Sequence, residues 1–195
     1  MPALPADAPL SYEEYLRFEQ SVDSRHEFIE GDILAVAGGT RRHAVLESRL
    51  SARLTIGLGD AGPCRVEDSD TRIVVERGQT LNAYYPDMVV IRGEGQTHPR
   101  DPDGGVVNPS LLVEVTSRNT EKRDRGVKLD DYRAIVPLRE YILVSHVRHE
   151  LEVWSREGPD VEWLRRVLIP GQSIDLRLGV TVIVDELYRD PLPTR

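Results

Sequence analysis

A chain of 195 residues carries one cysteine and a formal net charge of −8. That length supports one domain with a sizeable core, and the lone Cys64 excludes an internal disulfide framework. The acidic balance argues against a protein that coats nucleic acid through bulk charge, though not against an enzyme that touches phosphate locally. The N-terminus lacks a basic stretch followed by an apolar core, and no apolar run approaches the roughly 18 residues of a membrane span. A cytoplasmic protein with no membrane association is expected.

Residues 1–10, rich in Pro and Ala, read as a loose arm, and 11–195 as a single domain. Ser11 and Glu14 make a capping-box pair, with Leu10 and Tyr15 spaced as a hydrophobic staple, which predicts a helix over 12–20. Segments 25–30 and 32–37 read as a hairpin turning near Gly31. Gly38-Gly39-Thr40 opens a helix with Leu46, Leu50 and Leu54 on one stripe, ending near Gly57 or Gly59. Strands are expected at 64–67, 71–76 and 85–91. Residues 92–108, polar and rich in Gly and Pro, read as a long mobile loop, either a lid or an insertion. A strand over 111–116 is followed by a helix capped by Asn119 or Thr120 and running to about 135, with Glu121 and Asp124 in its first turn. Strands at 140–145, 150–155, 162–168 and 180–184 and a helical turn around Leu187 complete a mixed α/β (α+β) domain with much antiparallel pairing.

The stretch PSLLVEVTSRNT, beginning at Pro109, poses a physical problem. An apolar run of this kind is a buried strand, yet it contains Glu114. Alternation puts Leu112, Glu114 and Thr116 on one face. An uncompensated carboxylate there costs several kcal/mol, so a salt bridge, a raised pKa or a metal ion must offset it. Asp87, directly after Pro86 at the head of another apolar strand, can converge with Glu114 if the two strands are neighbours. Two hard oxygen donors suit Mg2+ or Mn2+. Read singly, each has a plainer role: Pro-Asp is common in turns, and a strand glutamate often faces solvent. Lys128 shares a helix face with Tyr132 and Ile135, so it can point inward beside the carboxylates. Its plain alternative is a surface pair with Asp124.

Pro86-Asp87, Glu114-Val115-Thr116 and Lys128 together resemble the PD-(D/E)XK nuclease superfamily. That signature places its lysine two residues after the glutamate, where this chain has Thr116. One branch carries the lysine on the following helix, and this chain resembles that branch, the Uma-two family of endonucleases. The matching pieces are RHEFIEGDI, the His43 helix, YPDMVVI, LLVEVTS, DRGVKLDDYR and VPLREYILVS, from about Tyr12 to Tyr188. The resemblance implies a restriction-endonuclease-like core, a central mixed sheet flanked by helices, with an N-terminal helix-hairpin and a C-terminal β-meander. It implies Asp87, Glu114 and the Val115 carbonyl as metal ligands and Lys128 as the catalytic lysine. Glu27 and His43 match further positions of the family as accessory groups; Ser117 and Tyr132 match as a hydrogen bonder at the helix start and a packing residue. Asp70 is another nearby carboxylate, for which a turn role is favoured.

The function implied is Mg2+-dependent (or Mn2+-dependent) hydrolysis of phosphodiester bonds in DNA. The alternative is a non-catalytic nucleic-acid-binding or assembly protein that keeps the fold, motivated by the acidic charge and by Thr116. A carboxylate-pair sugar hydrolase is disfavoured because the chain is short for a saccharide groove. Two basic groups, Arg41, Arg42, Arg49 and Arg53 on one helix and Arg118, Lys122, Arg123, Arg125 and Arg133 on another, can flank a phosphate backbone or form solvated mixed-charge faces. A homodimer is a further expectation, with EYILVS or ELEVWS pairing across a two-fold axis.

Overall fold

A computed structural model describes residues 9–36 and 38–189. Residues 1–8 of the expected arm, and Ala37 of the expected hairpin, lie outside the described residues. In chain order the elements are α1 (Tyr12–Glu19), β1 (His26–Ile29), β2 (Asp32–Ala35), α2 (Arg41–Leu58), β3 (Cys64–Asp68), β4 (Arg72–Arg77), β5 (Thr80–Tyr84), β6 (Met88–Arg92), β7 (Thr97–His98), β8 (Asp101–Val106), β9 (Pro109–Thr116), α3 (Glu121–Asp124), α4 (Val127–Ala134), β10 (Glu140–Ser145), β11 (Leu151–Ser155), β12 (Leu164–Leu168), β13 (Ser173–Asp175), β14 (Thr181–Ile183) and α5 (Val184–Leu187). No helix among the described residues is long and apolar enough to cross a membrane.

Local chemistry sets several boundaries. The Ser11–Glu14 capping box forms and starts α1. The β1–β2 hairpin turns on Glu30 and Gly31, both with positive φ (52° and 95°), which glycine adopts without steric cost. Thr40 caps α2 by accepting the His43 N–H, and Gly59 ends it.

Two six-stranded sheets, ordered β2-β1-β5-β4-β8-β7 and β12-β11-β10-β9-β6-β3, are joined by a small β13-β14 pair. In the second sheet β9 runs antiparallel to β6 and parallel to β10. Parallel neighbours need a crossover, and α3 and α4 supply it. The leucine stripe of α2 packs on one face of that sheet, against Met88, Val90, Leu111 and Val113. Leu129 and Tyr132 of α4 cover the other, with Val89, Leu112 and Tyr141.

Four expectations are corrected. Residues 92–108 are not a mobile loop: β7 and β8 form there, and β8 pairs in parallel with β4. Asp101, 2% exposed, accepts two hydrogen bonds from Arg72, both 2.7 Å, and one from the Tyr12 hydroxyl at 2.8 Å. That bidentate pair ties the segment down. The helix expected over 120–135 is two, broken at Gly126, where a Cβ would lie 2.8 Å from the Lys122 carbonyl oxygen. EYILVS and ELEVWS are interior strands with neighbours on both sides, so neither offers an edge to a second copy. Strands β5, between β1 and β4, and β13, paired with β14, are absent from the sequence reading.

Asp101→Ala leaves the Arg72 guanidinium buried without its partner. It should lower stability by about 3–5 kcal/mol in denaturant unfolding; a change of a few tenths would mean that 92–108 is not packed on the domain.

Candidate active site

Strand β9 is buried on both faces, and its alternation decides what each side chain meets. Leu111, Val113 and Val115 lie in the core under α2, while Leu112 lies in the core under α4. Glu114 has the parity of Leu112 and therefore faces α4. There the Lys128 ammonium donates to Glu114 Oε1 at 2.7 Å, and the Tyr132 hydroxyl donates to the same oxygen at 3.1 Å. Among the described residues no hydrogen bond reaches Glu114 Oε2.

Lys128 is only 2% exposed and holds more than one carboxylate. Glu27 Oε1 lies 2.6 Å from its nitrogen, Glu114 Oε1 2.7 Å and Asp124 Oδ1 3.9 Å. Arg123 approaches the far oxygen of Glu27 at 3.4 Å. The break at Gly126 puts Asp124 at the end of α3 and Lys128 in the first turn of α4, so both can look into the same pocket. β1 brings Glu27 from the other sheet.

Electrostatics follow from this crowding. Burial works against the Lys128 charge, but Glu114, Glu27 and Asp124 outweigh it and hold the proton more tightly than usual. Burial pushes Glu114 well above the ordinary carboxylate range; Lys128 opposes that, while Asp124, Asp87 and Glu27 reinforce it. Asp124 rises for the same leading reason. Three carboxylates, Glu27, Glu114 and Asp124, face the Lys128 ammonium, with the Arg123 guanidinium beside Glu27. Glu27 Oε2 and Asp124 Oδ1 are buried with no hydrogen-bond partner.

Asp87 adjoins this group through strand register. Met88 pairs with Val113, so the next step along the antiparallel strands sets Asp87 opposite Glu114. Asp87 Oδ2 accepts the Val115 N–H at 2.5 Å, and Oδ1 lies 3.0 Å from His43 Nε2. Gly39 makes room for that imidazole: a Cβ there would fall 2.7 Å from His43 Cδ2. The bond to Asp87 raises the proton affinity of His43, against the effect of burial. Glu47, one helical turn on, lies 3.8 Å from His43 Nε2, and burial raises its pKa. His43, Glu47 and Asp87 each offer one donor atom, all within 4.8 Å of one another.

The residues singled out from the sequence thus fall into two adjoining groups: Glu27, Glu114 and Lys128 in one, Asp87 and His43 in the other. Val115 touches Asp87 through its N–H. Tyr132, read as a packing residue, also donates to Glu114. Ser117 exchanges hydrogen bonds with Thr120 at the start of α3. Asp70 stands apart, in an exposed pair with Arg25. Glu47 was not singled out, Arg123 was read only as one of a basic group, and Asp124 only as a helix-start charge and a surface partner for Lys128. The i+4 spacing of Glu47 from His43 was the one available signal. Several basic residues serve the fold: Arg49 and Arg53 donate to the Leu187 and Thr181 carbonyls, Arg125 pairs with Glu152, and Arg133 lies over the Trp154 ring.

The architecture is that of a nuclease-like α+β fold. A crystal structure from Anabaena variabilis, titled as a "putative nuclease belonging to DUF820", aligns with a TM-score of 0.67, covering 93% of this chain and 98% of that one at 14% identity. Residues 12–184 match the Uma2 family, described as "Putative restriction endonuclease", and the chain belongs to that family. Two uncharacterized proteins of Synechocystis sp. are similar along nearly their whole length. One is 34% identical over 183 residues, 92% of each chain; the other is 33% identical over 173 residues, 87% of this chain and 93% of the relative.

The raised Glu114 pKa has a signed consequence. Folding tightens this carboxyl's hold on its proton, so it favours the folded state below its ordinary value of 4.5 and loses that contribution as pH rises through the folded value. Metal-free Glu114→Gln should therefore lose less stability than wild type as pH rises from 4 to 8, read as Tm against pH. Parallel curves would remove the shift.

Proposed function

We propose that the chain is a divalent-metal-dependent endonuclease that hydrolyses phosphodiester bonds in DNA, with Asp87, Glu114 and Lys128 as its central residues. The observation that carries this reading is the meeting, at one end of β9, of a buried Glu114–Lys128 pair with Asp87 on the neighbouring strand. Membership of a family described as restriction endonucleases supports it.

The donor set fits a hard cation. Asp87 and Glu114 supply carboxylate oxygens, and the resemblance adds the Val115 carbonyl. Among the described residues Glu114 Oε2 accepts no hydrogen bond, and Glu27 Oε2 and Asp124 Oδ1 are buried without a hydrogen-bond partner. Mg2+ and Mn2+ are the ions such oxygens suit. When bound, the ion supplies an activated water and offsets phosphate charge.

The chain's own groups divide the remaining work. Lys128 holds its proton tightly, so it acts as a donor and positive charge, orienting the attacking water or stabilising a phosphoryl oxygen. Glu27 and Tyr132 keep Lys128 and Glu114 in one geometry. His43 does the same for Asp87. Thr116, where the common signature has its lysine, leaves that place to Lys128, which reaches Glu114 from α4.

One observation favours a second reading. Lys128 already compensates Glu114 at 2.7 Å, as it would in a non-catalytic nucleic-acid-binding or assembly protein retaining the fold. Mn2+ calorimetry separates the two. The endonuclease reading expects wild type to bind and both Asp87→Ala and Glu114→Ala to lose binding and cleavage. Absence of Mn2+ uptake, with no metal-dependent cleavage, would favour the binding protein.

Lys128→Ala should retain Mn2+ binding while cutting turnover by about a hundredfold or more, the scale of losing one charge-stabilising donor. Unchanged turnover would take Lys128 out of the reaction. Because the same variant leaves Glu27, Glu114 and Asp124 without their counter-charge, its metal-free form should lose about 3–5 kcal/mol of stability, and added Mn2+ should return part of it.

A further inference from the structure

The parallel strands β9 and β10 end side by side, with Thr116 opposite Ser145. Ligands bind preferentially in the crevice beyond such strand ends. The next residue of β10's exit, His146, is held there by its N–H, which donates to the Thr116 carbonyl at 3.1 Å. Its Nδ1 is buried without a hydrogen-bond partner. Among the described hydrogen bonds none engages its Nε2, the nitrogen left to donate a hydrogen bond to an incoming oxygen.

Two arginines lie on the segments that meet this strand end. Arg118, exposed, comes two residues after Thr116, and Arg42, half-buried, sits beside His43 in the first turn of α2. The described ion pairs and side-chain hydrogen bonds engage Arg49, Arg53, Arg123 and Arg125, and none engages Arg42 or Arg118. Burial, then the charges of His43, Arg42 and Arg118, lower the proton affinity of His146. Arg49, two turns along α2 from Arg42, donates to the Leu187 carbonyl, and the adjacent Tyr188 donates its hydroxyl to the Ser145 carbonyl at 2.7 Å, so α2 and the β10 exit meet through this segment. These positive groups lie on segments next to the acidic pocket, in a chain whose net charge is −8.

We propose that Arg42, Arg118 and His146 form a phosphate-binding subsite that grips a backbone phosphodiester next to the one presented to the acidic pocket. The assignment rests on the endonuclease reading for its substrate, a nucleic-acid strand. It gives an acidic protein a local way to hold a polyanion: the arginines supply charge and His146 supplies a directed donor. These are positioning residues, since they touch a phosphate that is not cleaved.

The test uses the full chain treated with EDTA. Inorganic phosphate is titrated while the His146 imidazole signals are followed by NMR. The subsite predicts a saturable shift, weakened about tenfold or more in Arg42→Ala/Arg118→Ala; no saturable shift, or the same titration in the double variant, overturns it. A fluorescein-labelled DNA duplex is then titrated by anisotropy at several salt concentrations. Each removed arginine should lower the salt slope by about one, and an unchanged slope overturns the backbone assignment in favour of a free-phosphate site. Both variants should bind Mn2+ as wild type does. A His146 shift in a protein that takes up no Mn2+ and cleaves nothing would support the subsite and count against the catalytic reading, so the two fail separately.

Discussion

A carboxylate buried in the middle of an apolar strand constrains the rest of this molecule. Glu114 cannot face α2, because alternation gives that side to Leu111, Val113 and Val115. It must face α4, and it needs a positive partner there. Lys128 is that partner, and its own burial demands carboxylates in turn. Glu27 and Asp124 meet that demand and overshoot it, leaving a pocket with more negative than positive charge.

The elements around the pocket serve this geometry. Gly126 breaks the crossover so that α3 and α4 each contribute a residue. Gly39 and Thr40 set His43 at the head of α2 within reach of Asp87. The pairing of β6 with β9 brings Asp87 alongside Glu114. On the neighbouring sheet, the Arg72–Asp101–Tyr12 cluster fixes β8 and α1 around the sheet that carries Glu27. The fold of a nuclease family and the acidic pocket at its strand ends support one function together, because neither alone says what is bound.

Much of the candidate site was legible in the chain. Glu114 stood out because its neighbours are apolar, and Asp87 because it heads a similar strand. Lys128 stood out because Tyr132 and Ile135 mark its helix face as inward. What stayed hidden depended on distant partners. Asp124 looks like a helix-start charge until the break at Gly126 turns it inward. Glu47 has only its spacing from His43. The polar stretch 92–108 has the composition of a loop, and becomes β7 and β8 because β4 offers backbone groups and Arg72 a guanidinium to Asp101, residues far away in sequence.

Periodicity, capping and turn chemistry are local properties, and they were sufficient to determine α1, α2, the first hairpin, β9 and β10, and to mark a charge that burial would penalise. The identity of the compensating groups is non-local. Strand register placed Asp87 beside Glu114, sheet order made EYILVS and ELEVWS interior strands, and the packing of α4 across the sheet set Lys128 between Glu114 and Glu27. Charge is compensated through space, and only the tertiary structure decides which charges share it.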